Sequence, residues 1–291
     1  SAEREVSLAS GAAVADACRR LGCAVTEADI APDNLSALET AADLVFPVLH
    51  GRFGEDGHLQ AILEARGLPY VGSDSAASRL AIDKDAAKRK WLAEGLPTAP
   101  WTCVDQETEI SAVDYPGPPA VLKPLCEGSS IGAVLCDTLS ELHAQARSAV
   151  SKFGKMLVEK RLTGPELTVG ILEDRALPVI EIRPAPGFYD YEAKYRRDDT
   201  QYLLEPAIEA DTYSLVQETA LKAFRALGCR DYGRVDFIVD RQDGVQLLEI
   251  NTIPGFTDHS LLPKAAAQVG IEFDELVAQL LRMADRRKTA T

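Results

Sequence analysis

The chain has 291 residues, 46% of them hydrophobic and 26% charged, with a formal net charge of −14. This supplies apolar material for two or three compact lobes, while the negative excess argues against non-specific binding to nucleic acid. No run of eighteen apolar residues offers a membrane span. The six cysteines (18, 23, 103, 126, 136, 229) form no Cys-x-x-Cys pair and read as reduced, mostly buried thiols, Cys126 being set apart by its loop.

In chain order, Gly11 to Leu21 reads as a helix with Ala, Val and Cys on one face. Residues 43–49 read as a buried parallel strand that delivers His50 to its C-terminal end, the edge at which open parallel sheets bind ligands. His50 is open to two readings there, a core histidine satisfied by backbone or a substrate contact. Asp56 to Arg66 and Asp83 to Glu94 read as helices stopped by Gly-Leu-Pro. Ala120-Val121-Leu122-Lys123-Pro124 reads as a strand running into Glu127-Gly128-Ser129-Ser130-Ile131-Gly132. Gly and Ser in that loop expose backbone N–H groups that can cradle phosphate, and Lys123 adds a point charge. The lysine precedes the glycines, so this is not the Gly-x-x-x-x-Gly-Lys-Ser/Thr loop. Leu139 to Phe153 reads as a helix and Met156 to Lys160 as a strand. Pro184 to Asp199 is a polar loop with three tyrosines and Lys194. A loop of about sixteen residues in a compact enzyme is usually functional, and this one reads as a lid over bound phosphate. Glu272 to Ala284 reads as the final helix, and Arg286-Arg287-Lys288 as a frayed end.

The most specific signal is a pair of apolar runs, Gly233 to Asp240 and Leu247 to Gly255, joined by the turn residues Gln242-Asp243-Gly244. They read as a hairpin. Asp236 lies on its first strand, and Glu249 and Asn251, two apart, share one face of the second. Three hard oxygen donors on one side of a sheet suit magnesium, which keeps waters and substrate phosphates as the rest of its shell. A carboxylate on an apolar strand is costly unless paired or metal-bound. With the Gly-Ser loop, the hairpin argues for ATP held between two sheets.

At this point the chain resembles the D-alanine–D-alanine ligase family of the ATP-grasp superfamily. The residues that carry the resemblance are Ser1-Ala2-Glu3-Arg4-Glu5-Val6-Ser7, His50-Gly51-Arg52-Phe53-Gly54-Glu55-Asp56-Gly57 and Tyr189-Asp190-Tyr191-Glu192-Ala193-Lys194-Tyr195. Gly233-Arg234-x-Asp236, Glu249-x-Asn251-Thr252-x-Pro254-Gly255 and His259-Ser260-Leu261 complete it. The resemblance implies an α/β, three-lobed ATP-grasp architecture: an N-terminal substrate lobe over 1–72, Rossmann-like, whose first strand is absent from this chain; a central ATP-binding lobe over 73–159; and a C-terminal catalytic lobe over 160–291. It implies ligation of two D-alanine molecules through an acyl phosphate, for peptidoglycan precursors, by a cytoplasmic homodimer.

The same resemblance implies the roles of individual residues. Asp236, Glu249 and Asn251 would hold two magnesium or manganese ions. Lys84, Lys123 and Lys194 would hold phosphate; Glu159, Lys160 and Leu162 the adenine; Glu166 the ribose. Glu3 would bind the ammonium of the first D-alanine beside His50, and Ser129 and Tyr195 would join Glu3 in locking the lid. Arg234 and the N–H of Gly255 would face the oxyanion, and Ser260 and Leu261 the carboxylate of the second D-alanine. Two rivals stand beside this reading: a depsipeptide ligase using D-lactate, disfavoured because Tyr195 keeps the lid tyrosine, and an incomplete non-catalytic module, because the family's strand and Gly-Gly turn ahead of Ser1 are missing.

Overall fold

A computed structural model describes residues 3–128, 130–183 and 200–289. Ser129, Lys194 and Tyr195, with the rest of the expected lid, lie outside the described residues.

Two antiparallel sheets carry the fold. The first contains β1 (Trp101–Val104), β2 (Ala120–Pro124), β3 (Val134–Cys136) and β4 (Met156–Lys160) in the order β1-β4-β2-β3. Burial alternates along β2, so Ala120 and Leu122 enter the core while Val121 and Lys123 face the other way. That core is closed by α5 (Leu139–Phe153) through Leu142, Ala146 and Val150. The helix starts at a reciprocal cap between Thr138 and Glu141.

The second sheet contains β5 (Glu166–Leu172), β6 (Arg175–Arg183), β7 (Gln201–Leu203), β8 (Tyr232–Asp240) and β9 (Gly244–Asn251), in the order β7-β6-β5-β8-β9. One face meets α6 (Ala210–Ala226), α3 (Ser75–Ile82) and α4 (Lys84–Ala93), with Phe224, Trp91, Val235 and Phe237 in contact. The other meets α7 (Leu261–Ala267), α8 (Phe273–Thr289) and α1 (Arg4–Arg20). Cover on both faces explains why β5 is buried almost without alternation. Asp74 and Asp83 cap α3 and α4 by accepting from Ala77 N at 2.9 Å and Ala86 N at 3.0 Å.

The predicted hairpin is β8–β9. Asp240 Oδ1 closes its turn by accepting from Gln242 N (2.9 Å) and Asp243 N (3.0 Å), and Gly244 takes φ +70°. Asp236 pairs with Glu249 and Arg234 with Asn251; the register then shifts so that Phe237 faces Leu247, leaving Leu248 as an extra residue.

Three expectations need correction. Residues 43–49 do not form a ladder strand: Val45 makes a single parallel bridge with Tyr70, through Val45 N to Pro69 O (2.8 Å) and Val71 N to Val45 O (3.0 Å). A parallel strand needs a neighbour along its length, and among the described residues this segment has one only at that bridge. The first helix begins at Arg4 rather than Gly11: its opening turns mix polar and apolar residues, with Leu8 exposed, so they lack a continuous apolar face. The 286–288 tail is not frayed. It is helical, and Arg287 makes a two-pronged pair with buried Asp231 while donating to Tyr70 O at 2.9 Å.

Candidate active site

The two sheets are joined where Thr98, just ahead of β1, bridges Leu247 of β9. Beside that junction lies a cleft lined by Glu55, Lys84, Glu127, Gly128, Glu249 and Asn251. Lys84 opens α4, is almost buried, donates to Glu127 O at 2.7 Å and stands 3.4 Å from Glu249. Glu3, also buried, closes the opposite side: a Cβ on Gly128 would stand 3.8 Å from its carboxylate. Phosphate-loop residues, the lysine of α4 and the acid of β9 therefore share one cavity, with the acid ahead of α1 close to Gly128.

Val235 and Phe237 point into the core beneath α6, so Arg234 and Asp236 point to the opposite face. Asp236 is 3% exposed. Its Oδ1 accepts from Thr168 Oγ1 (2.6 Å) and Arg234 Nε (2.9 Å), and its Oδ2 from Arg234 Nη2 (2.8 Å) and Asn251 Nδ2 (3.0 Å). Both oxygens of Asp236 therefore have two donors each. Glu249 and Asn251 line the cleft directly, and Asn251, having turned its N–H to Asp236, offers oxygen. One carboxylate, one amide oxygen and a neutralised carboxylate behind them fit magnesium or manganese, which needs one or two carboxylates and completes its shell with water and phosphate.

Glu159, expected with the neighbouring backbone to read adenine, lies near the end of β4. Its carboxylate, 3% exposed, is shared by Lys88 and by Lys123 at 2.6 Å. Burial works against its charge, but Lys123 and Lys88 outweigh it and hold the carboxyl below its ordinary range. The neighbouring stretch is fixed by backbone: Lys160 N donates to Pro100 O (2.9 Å) and Arg161 N to Pro119 O (3.0 Å). Lys160 pairs with Asp243 at 2.5 Å, Leu162 is buried, and Glu166 opens β5 opposite Ile182 and Ile238.

His50 is held on both ring nitrogens. Its Nδ1 lies 2.8 Å from Ile253 O, which can only accept, so Nδ1 carries the proton; Nε2 then accepts from Ser10 Oγ at 3.3 Å. Ser10 Oγ in turn accepts from Phe256 N at 3.1 Å. Burial draws the imidazole down to about 4, so it is neutral. The ring ties α1 to the 253–256 loop. In that loop a side chain on Gly255 would meet Ser260 Oγ at 3.1 Å. Ser260 Oγ accepts from Thr257 N (3.0 Å) ahead of α7, and Leu261 packs by Ile182 and Tyr202.

Four residues escaped the sequence reading. Thr168 and Lys88 buttress Asp236 and Glu159 from 68 and 71 positions away. Lys88 did carry one signal, since it lies one helical turn after Lys84. Glu55 stood inside a quoted motif without a role. It accepts from Gly51 N at 2.7 Å, and burial, with Glu3 nearby, pushes its carboxyl up to about 8. Asp231 accepts from Gly72 N at 2.7 Å as well as from Arg287.

The N-terminal family model "D-ala D-ala ligase N-terminus" matches residues 24–73, and "D-ala D-ala ligase C-terminus" matches residues 91–282. The D-alanine–D-alanine ligase of Saccharophagus degradans is 45% identical over 97% of this chain and 90% of its own length. The solved D-alanine–D-alanine ligase of Bacillus anthracis has a TM-score of 0.89 at 30% identity, covering 100% of this chain and 96% of that one. The same enzyme complexed with ATP gives 0.87 at 29% identity, covering 100% and 95%.

Proposed function

The chain belongs to the D-alanine–D-alanine ligase family, and we propose that it joins two D-alanine molecules in the cleft between its two sheets. One observation carries this reading. Lys84, Glu249 and Asn251 share a cavity with the 127–128 loop, and the Glu3 carboxylate stands across from Gly128.

A carboxylate is a poor electrophile. ATP phosphorylates the carboxylate of the first D-alanine, the amine of the second attacks the acyl phosphate, and inorganic phosphate leaves. Phosphoryl transfer asks mainly for charge neutralisation and alignment. Lys84 and Lys123 hold the phosphates, with Leu162 against the base and Glu166 on the ribose. Glu249 and Asn251, with Asp236 behind them, would hold magnesium or manganese, and a bound divalent ion supplies positive charge to the phosphate oxygens. Glu3 takes the ammonium of the first substrate as a charge-assisted contact. Arg234, fixed on Asp236, and the backbone N–H of Gly255 face the developing oxyanion. Ser260 and Leu261 position the second substrate. Ser129, Lys194 and Tyr195 take the lid roles given above.

The lobes 1–72, 73–159 and 160–291 are the proposed divisions, and we place the enzyme in the cytoplasm as a homodimer. No helix among the described residues is long and apolar enough to cross a membrane. Phosphate release, followed with ATP and magnesium, tests the activity: D-alanine should support it, and L-alanine should not. Absence of D-alanine-dependent release would overturn the reading. Mixed-substrate product analysis with D-lactate separates dipeptide from depsipeptide synthesis, and light scattering tests the dimer.

A further inference from the structure

We propose that Lys88 is a positioning residue for ATP: it neutralises Glu159 so that Lys123 is free to move from that carboxylate to phosphate. The inference rests on the reading that Lys123 holds phosphate. Lys88 has no exposed side-chain surface, and none of the roles above uses it. Its ammonium donates to the Glu159 carboxylate and, at 2.5 Å, to Thr98 Oγ1, and it lies 4.9 Å from the centroid of the Trp101 ring. Thr98 passes its own proton to Leu247 O at 2.9 Å. Lys88 is thus fixed on three sides at the junction between the sheets.

Lys123 holds the other oxygen of Glu159 at 2.6 Å, from the solvent side, with 15% of its side chain exposed. Two cations therefore share one buried carboxylate. Of the two, only Lys123 has exposed side-chain surface. If it were the sole partner of Glu159, moving to phosphate would strand a buried, unmatched negative charge, and breaking a buried pair by removing one partner is strongly unfavourable. With Lys88 fixed beneath, Glu159 stays matched whether Lys123 is on it or on ATP. Lys88 does this without touching substrate.

The test is equilibrium titration of ATP, without D-alanine, on Lys88→Met, Glu159→Gln, the double variant and Lys123→Met, with D-alanine KM and thermal melts measured alongside. Lys88→Met should weaken ATP about 10-fold or more, because Lys123 is then the only partner left to Glu159, and should leave D-alanine KM unchanged. Adding Glu159→Gln should restore ATP affinity to within about 3-fold of the parent, since no buried charge is left to hold Lys123. A merely structural role would lower the melting temperature and leave ATP affinity of the folded Lys88→Met protein unchanged, which overturns the inference. If Lys88→Met does not fold, the double variant is compared with Glu159→Gln: equal ATP affinity supports the inference, and a further large loss overturns it. If Lys123→Met leaves ATP binding intact, the phosphate reading fails and takes this inference with it. If Lys123→Met weakens ATP while Lys88→Met does not, the inference alone falls.

Discussion

Each sheet buries a carboxylate, and the two are neutralised differently. Among the described residues, Asp236 of the five-stranded sheet has one cation, Arg234, two residues away on the same strand. Glu159 of the four-stranded sheet has two, Lys88 and Lys123, from a helix and a neighbouring strand. Glu55 sits in the cleft with its carboxyl raised to about 8 and is matched by a proton. A single fixed cation makes a rigid platform. A doubled one leaves a charge that can be lent to a ligand, and a proton makes the match depend on pH.

The sharpest break of this comparison is Arg234→Met. It leaves Asp236 buried without a cation, and should destabilise the protein by about 3–5 kcal/mol in urea unfolding; a loss below about 1 kcal/mol would mean that Thr168 and Asn251 suffice. Glu249→Gln keeps the shape of the cleft and removes the charge beside the expected cation. Turnover should fall by at least ~100-fold with the fold intact by circular dichroism, and near-normal turnover would remove Glu249 from the machinery. Lys123→Met is the counterpart of Arg234→Met on the other sheet. Because Lys88 remains, its stability cost should be only about 1–2 kcal/mol, that of one charged hydrogen bond. Equal losses at the two sites would erase the distinction between single and doubled cations.

The smallest effect concerns pH in the ligand-free protein. His50 titrates near 4 when folded against an ordinary 6.5, chiefly through burial. The unfolded chain therefore binds that proton first, and the stability it contributes is present above pH 6.5 and lost as pH falls through 4. Glu55 runs the other way: raised from 4.5 to about 8 by burial and then by Glu3, it contributes stability below pH 4.5 that is lost as pH rises through 8. Thermal melts should decline by a few degrees between pH 6.5 and 8, and Glu55→Gln should flatten that limb alone. A decline that persists in Glu55→Gln assigns it to another group.

The distance between partners also decides what could be read from sequence. Arg234, Asp236, Glu249 and Asn251 come from one hairpin, where strand alternation and a two-sided turn signal fix which side chains share a face. The shared face of that hairpin was legible, although its interior hydrogen bonds were not: that Asp236 gives both oxygens to Arg234, Thr168 and Asn251 depends on a strand 68 residues upstream. Glu159 finds its partners 71 and 36 positions away, and no local period reports a helix docking across a sheet. His50 was visible as a strand-end histidine, but its anchor, Ile253 O, is 203 residues distant. The helices with end signals were found within a few residues. The segment 43–49 was over-read, because an apolar run reports burial and not a neighbour to pair with.

The contacts between α1 and α8 have a consequence for synthesis. Arg20 pairs with Asp274, 254 positions later, and Val14, Ala17 and Cys18 share an apolar cluster with Leu276, Val277 and Leu280. On a ribosome adding roughly 5–20 residues per second, the first helix waits roughly 13–50 s for its partner. During that interval its apolar face is open to water, to chaperones and to other nascent chains. Vectorial translation therefore cannot complete this fold from its beginning, and the yield of native protein is expected to respond to elongation rate and to chaperone supply more than its equilibrium stability does.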